Sequence, residues 1–168
     1  METWSVNKYE ALNFVPAQDN ESFTAKKGTL RGLHFQKNFP QTKLVRAIKG
    51  SVFDVAVDLR KDSATFGKWY GIVLTEENKK QFLIPRGFAH GFLVLSDTAE
   101  FCYKCDDFYH PNDEGGLAWN HPEIGIQWPE VVGEYPGSAC AEGYTLTDGT
   151  PLKLSDKDQK WLGPKDTF

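Results

Sequence analysis

Arg31 and His34 stand three residues apart in Gly28-Thr29-Leu30-Arg31-Gly32-Leu33-His34-Phe35-Gln36. A guanidinium offers parallel donors that suit phosphate oxygens. An imidazole takes up and returns a proton near neutral pH. A surface Arg beside a hydrogen-bonded core His is the plainer alternative. A second run, Ile84-Pro85-Arg86-Gly87-Phe88-Ala89-His90-Gly91-Phe92, carries another imidazole. A third holds Cys102, Tyr103, Lys104, Cys105 and Tyr109. Cys-x-x-Cys spacing serves redox or zinc chemistry in a βαβ context or beside a second such pair, and this chain has neither. Alternation makes the two cysteines small strand residues instead. A Tyr inside a sheet-walled cavity needs a partner for its hydroxyl and can donate a proton, while one at a rim can stack on a base. For Tyr103 and Tyr109 the alternative is a pair of ordinary strand aromatics.

The elements that must position these groups read as strands. In 51–59, Phe53, Val55, Val57 and Leu59 fall on one face, and Asp54, Ala56 and Asp58 on the other. That is period-two alternation. Further strands are expected over 43–48, 69–74, 81–84, 91–95 and 99–103, at the 8–15-residue spacing of an all-β sandwich or barrel. Polar groups on an inward face would need partners, water or a ligand, whereas on an outer face Asp54 and Asp58 would meet solvent. Helical signals are confined to 76–80, after Thr75, and to 155–162, with Ser155 as N-cap. Residues 131–153 are rich in Gly, Pro, Ser and Thr and read as an irregular insertion within a single domain spanning 1–168.

The chain's 168 residues are 40% apolar and 25% charged, an ordinary globular composition. No apolar run is long enough for a membrane helix. An aromatic share of 14% favours sheets and stacking pockets. A net charge of −4 leaves no basic footprint for nucleic acid. Three cysteines and no export signal point to reduced thiols and a cytoplasmic location. No Gly-x-Gly-x-x-Gly run is present, and no redox cofactor is called for.

The spacing Pro85-x-Gly87-x-x-His90 resembles the second signature of the cupin superfamily. Metal-dependent cupins add an upstream His-x-His and a Glu. The four histidines here, His34, His90, His110 and His121, include no such pair, and Gln36 stands two residues after His34. The resemblance therefore implies a cupin-type jelly roll (double-stranded β-helix) with one or two short helices and no metal. Longer blocks resemble the dTDP-4-dehydrorhamnose 3,5-epimerase family: Gln18-Asp19-Asn20, Lys27 through Gln36, Lys43-Leu44-Val45-Arg46, Val52 through Arg60, Ile84 through Phe92, Tyr103-Lys104, Tyr109, Gly125-Ile126-x-Trp128-Pro129 and Leu154-Ser155-x-Lys157-Asp158.

The family resemblance implies a role for each matching position. It makes His34 the general base and Asp158 its orienting carboxylate. It makes Tyr103 the acid on the opposite face, and Lys43 the group that stabilises the enolate. By the same resemblance Arg31, His90, Glu114 and Lys157 contact the nucleotide diphosphate-sugar. Gln18 and Asn20 lie near the thymine, on which Tyr109 stacks. The partners implied are a dTDP-4-keto sugar and a second copy in a homodimer, with no cofactor, nucleic acid or membrane. Of the family's opening Asp-x-Arg-Gly-x-Phe-x-Glu block only Glu2 is present, as a substrate contact. Nucleotide affinity and an exchanged edge strand are the properties this touches. The insertion at 131–153 either displaces Asp158 or loops out. Two alternatives stay open beside double epimerisation: a single-position epimerase on a related dTDP-4-keto sugar, and a non-catalytic dTDP-sugar-binding cupin. A metal-dependent oxygenase or isomerase is disfavoured by the missing His-x-His.

Overall fold

A computed structural model describes residues 1–167. It contains two antiparallel sheets packed face to face. The elements are β1 (Gln18–Thr24), β2 (Leu30–Gln36), β3 (Lys43–Lys49), β4 (Ser51–Asp58), β5 (Trp69–Thr75), β6 (Phe82–Ile84), β7 (Phe88–Val94), β8 (Ala99–Cys105) and β9 (Glu114–Gly116). One sheet runs β1-β8-β3-β6 and the other β5-β4-β7-β2-β9. This is the jelly-roll arrangement expected of a cupin. The strands read from alternation are present, and β1, β2 and β9 join them. In β2 the glycines and charges mask the period, so that its sequence reads as a chemical motif before it reads as a strand.

Both faces of the five-stranded sheet are covered. Leu30, Val55, Val57, Ala89 and Leu93 pack outward against Trp119, Trp128, Ala139, Tyr144, Leu146 and Leu152 from the C-terminal part of the chain. The Trp119 and Trp128 indoles donate to the carbonyls of Ala139 and Trp119, each at 2.9 Å. Val52, Ala56, Phe92, Val94, Val45 and Phe101 fill the space between the sheets. The apolar side of β4 thus lies beneath the C-terminal segment, and the side bearing Asp54 and Asp58 turns inward. Both aspartates are buried, at 0% and 1% exposure. Asp58 accepts from Arg60, Ser63 and Thr65.

Residues 131–153 pack onto that outer face. They contribute the short pair β10 (Val131–Val132) and β11 (Thr145–Leu146), and the Leu30 N–H donates to the Lys153 carbonyl at 2.8 Å. The helical signals come out as short turns. At 76–80 the chain makes only a turn, where the Thr75 hydroxyl accepts the N–H groups of Glu77 and Asn78. At 155–162 a single 3₁₀ turn covers Asp158–Lys160, and the one α-helix among the described residues is α1 (Pro164–Thr167). Among the described residues no helix is long and apolar enough to cross a membrane.

Candidate active site

Arg31 and His34 share a strand at a separation of three, which in regular pairing puts them on opposite faces. They lie on the same face because β2 is bulged. Arg31 pairs with Phe92 and His34 with His90, so Gly32 and Leu33 together oppose Gly91. Gly32 has φ +114°. A Cβ on it would fall 2.7 Å from both the Gly91 Cα and the His90 carbonyl oxygen. Only glycine permits this approach.

The inner face of this sheet then carries Arg31, His34, His90 and Glu114. Facing it across the gap, β1, β3 and β8 align Gln18 with Cys105 and Lys43, and Asn20 with Tyr103. Between the sheets opens a cavity of about 370 Å³, lined by nine of the expected site residues: Gln18, Asn20, Arg31, His34, Lys43, Tyr103, Tyr109, Glu114 and Lys157. An adjoining chamber of about 150 Å³ adds His90 and the stacked rings of Phe92 and Phe101.

Asp158 lies one step behind. The bridge between Thr29 and Lys153 returns the chain to β2. Ser155 Oγ accepts the Asp158 N–H at 3.1 Å. The Asp158 carboxylate, 3% exposed, sits 2.5 Å from His34 Nε2 through Oδ1 and accepts the Gly32 N–H at 3.2 Å through Oδ2. Trp161 Nε1 donates to the same Oδ1 at 3.1 Å. Burial alone would raise this carboxyl's pKa, but the His34 ring and the two N–H donors outweigh it and hold the value below normal. An anionic carboxylate on Nε2 selects the tautomer with Nε2–H, leaving the Nδ1 lone pair free. Glu114 Oε1 is 3.8 Å from Nδ1, and Lys157 Nζ is 2.7 Å from Glu114 Oε2.

His90 Nε2 meets both oxygens of Asp54, at 3.0 and 2.9 Å. Burial raises the Asp54 pKa against the pull of His90 and Lys43. Burial also lowers the Lys43 ammonium, the nearby Cys105, Asp54 and Glu114 opposing, and raises the Tyr103 phenol. Among the described residues neither Arg31 nor Lys43 has a carboxylate within 4.0 Å. Two cations without counter-ions in one cleft suit an anionic ligand.

Glu2 does not join this group. It pairs with Lys8 at 2.9 Å, on the N-terminal segment whose Thr3 lies against Asp19, Arg46 and Lys104 on the outer side of the four-stranded sheet. The two cysteines of the Cys-x-x-Cys spacing part company as well. Cys102 opposes Arg46 and Cys105 opposes Lys43, and an odd separation sends them to opposite faces. Burial pushes the Cys105 thiol up to about 11. No three His, Cys, Asp or Glu side chains gather as a metal-ligand set among the described residues.

Three contributors have no distinct signal in the sequence. Alternation leaves Asp54 ambiguous between inside and outside. Gln36 uses its whole amide: Nε2 donates to the Phe39 and Phe108 carbonyls and Oε1 accepts the His110 N–H. It thereby ties the loop carrying Tyr109 to β2. Trp161 falls in the segment whose cap signal suggests a helix.

Sandwich, cavity and His–carboxylate pairs together define a cupin-type protein built to act on a small anionic ligand by proton transfer. The chain belongs to the dTDP-4-dehydrorhamnose 3,5-epimerase family, whose sequence profile matches residues 1–166. It is 50% identical over 145 residues to the enzyme of that name from Methanothermobacter thermautotrophicus, covering 86% of this chain and 69% of that one. To the Escherichia coli enzyme it is 51% identical over 144 residues, covering 85% and 76%. Among solved structures it resembles the dTDP-6-deoxy-D-glucose-3,5-epimerase of Legionella pneumophila in complex with dTDP-4-keto-L-rhamnose. There the TM-score is 0.79 at 44% identity, with 95% of this chain and 78% of that one covered.

Proposed function

We propose that the cavity converts dTDP-4-dehydro-6-deoxy-D-glucose to dTDP-4-dehydro-L-rhamnose by epimerisation at C3 and C5. The observation that carries this reading is that His34 and Tyr103 project from opposing sheets into one cavity. Protons on C3 and C5 are acidified by the C4 ketone they flank. His34 Nδ1 takes one such proton, and the C–H electron pair moves to the C4 oxygen as an enolate. Lys43 stabilises that oxygen. The Tyr103 hydroxyl then delivers a proton to the same carbon from the other face, inverting it. The imidazolium and phenolate return to their starting states by exchange with water.

Arg31 and Lys157 hold the diphosphate, His90 contacts the sugar, and Gln18, Asn20 and Tyr109 address the base. Tyr109 is 51% exposed at the mouth, and its N–H donates to Gln18 Oε1. The relatives' names and the ligand of the Legionella enzyme support the substrate class. The chain acts as a single cupin domain and, we propose, as a cytoplasmic homodimer. β1 is an open edge of its sheet and carries the exposed Phe23, the kind of edge a second chain covers.

Incubation with the 4-keto sugar nucleotide in heavy water tests the reading. Deuterium at both C3 and C5 is expected, and His34→Ala should abolish it while still binding dTDP. Label at one carbon alone means a single-position epimerase. Binding without label means a dTDP-sugar-binding cupin.

A further inference from the structure

Asp158 and Trp161 are three residues apart across the 3₁₀ turn Asp158–Lys160, a spacing at which side chains of such a turn lie over one another. The indole N–H and the His34 ring therefore meet the same carboxylate oxygen. The two rings also touch edge to face, with centroids 6.3 Å apart and planes at 74°. The indole has space because its neighbour on β9 is a glycine. A Cβ on Gly116 would collide with Cδ2 and Cε2, the two fusion atoms of the Trp161 ring. Gly116 is in turn the cross-strand partner of His34. One indole thus contacts the base, its carboxylate and the strand that pairs with the base.

We propose that Trp161 is a positioning residue for the reaction: it fixes the Asp158 carboxylate so that His34 presents Nδ1 to the cavity. This rests on the reading of His34 as the base. Among the described residues the carboxylate otherwise has only the Gly32 N–H and His34 itself as donors. With the indole N–H removed, the carboxylate is less well satisfied and leans harder on the imidazole. The hydrogen bond from the charged form of His34 then gains over that from the neutral form.

Other charges face this pair. Glu114 is 3.8 Å from His34 Nδ1 and is held by Lys157. Arg31 lies beside His34 on the face of β2, and His90, paired with Asp54, lies opposite on β7. Lys43 and Tyr103 look across from the other sheet. Trp161 touches both members of the pair and can be altered without changing charge.

The test is Trp161→Phe, which keeps a ring and loses the donor, and independently Gly116→Ala, which displaces the indole. Deuterium incorporation is followed from pH 5 to 9 alongside dTDP binding. Both variants should lose roughly ten- to a hundredfold in kcat, the upper figure being the scale of a 1 Å misplacement, with dTDP affinity within about twofold. In both, the acid limb of the kcat/KM profile should move to higher pH. A merely structural role loosens the pair, leaving the limb in place or moving it toward lower pH. Either of those outcomes, in either variant, overturns the proposal. His34→Asn is run beside them. If it still exchanges, the base assignment and this inference both fall. If it is inert while Trp161→Phe matches the parent, only the inference falls.

Discussion

Replacing Asp158 by Asn tests the central pair most sharply, because among the described residues every hydrogen-bond partner of this carboxylate is a donor. Oδ2 receives the Gly32 N–H, and Oδ1 receives the His34 ring and the Trp161 N–H. A carboxylate satisfies all three, but a carboxamide has one oxygen and one NH₂. With its oxygen toward His34, the NH₂ opposes the Gly32 N–H and leaves a buried donor unpaired, at about 1–3 kcal/mol. With its oxygen toward Gly32, the NH₂ opposes the indole and forces His34 into the tautomer that accepts at Nε2. Nδ1 then carries the hydrogen and has no lone pair for the substrate. Either orientation damages stability or chemistry, and the second damages both. The expected loss is about 10²–10⁴-fold in kcat for proton exchange, the contribution of one positioned base. Stability should fall by about 1–3 kcal/mol, with dTDP affinity near that of the parent. Proton NMR in heavy water gives the exchange rate, urea melts the stability, and calorimetry the dTDP affinity. Exchange within tenfold of the parent together with undiminished stability would refute the argument that this carboxylate sets the tautomer.

The same geometry sets three further outcomes. Tyr109→Ala should weaken dTDP binding by about 1–3 kcal/mol, the range for a base stacked on an aromatic side chain, and unchanged calorimetric affinity would reject the stacking role. Asp58→Asn should destabilise the fold by about 2–4 kcal/mol at neutral pH, since Arg60, Ser63 and Thr65 all donate to this buried carboxylate. Those donors, Arg60 first, hold its pKa well below the usual carboxylate range. The contribution is therefore complete above the unfolded value of about 4 and is lost as pH falls toward the folded one. Urea melts of parent and variant should converge only in acid. Gly32→Ala should destabilise by about 1–3 kcal/mol and slow exchange by shifting His34. Stability and exchange close to those of the parent would show that the backbone yields there.

Much of this site is legible without any knowledge of the fold, for uneven reasons. Period two in β4 reports a local regularity, so the strand and its two faces are readable. Which face turns inward is not, because that depends on what covers the other side, and the cover comes from residues more than sixty positions away. Arg31 and His34 are recognisable by type, yet a regular strand would separate them. Their convergence needs Gly32 to sit against Gly91 on another strand. The short helix expected after Ser155 has a sound cap signal, and Ser155 Oγ does accept the Asp158 N–H. The segment stops at one turn because Asp158 and Trp161 are drawn to β2 and β9.

From its order of residues alone, this chain determined its strand-rich character, its family resemblance and the chemical types that gather at the cavity. These are carried by short motifs and by side-chain period, which act over a few residues. The tertiary structure decided which imidazole nitrogen stays free and which residues face one another across the cavity. His34 and Asp158 are 124 positions apart. Sheet pairing, a bulge and the packing of the C-terminal segment bring them within one hydrogen bond, and no local pattern encodes a distance of that kind.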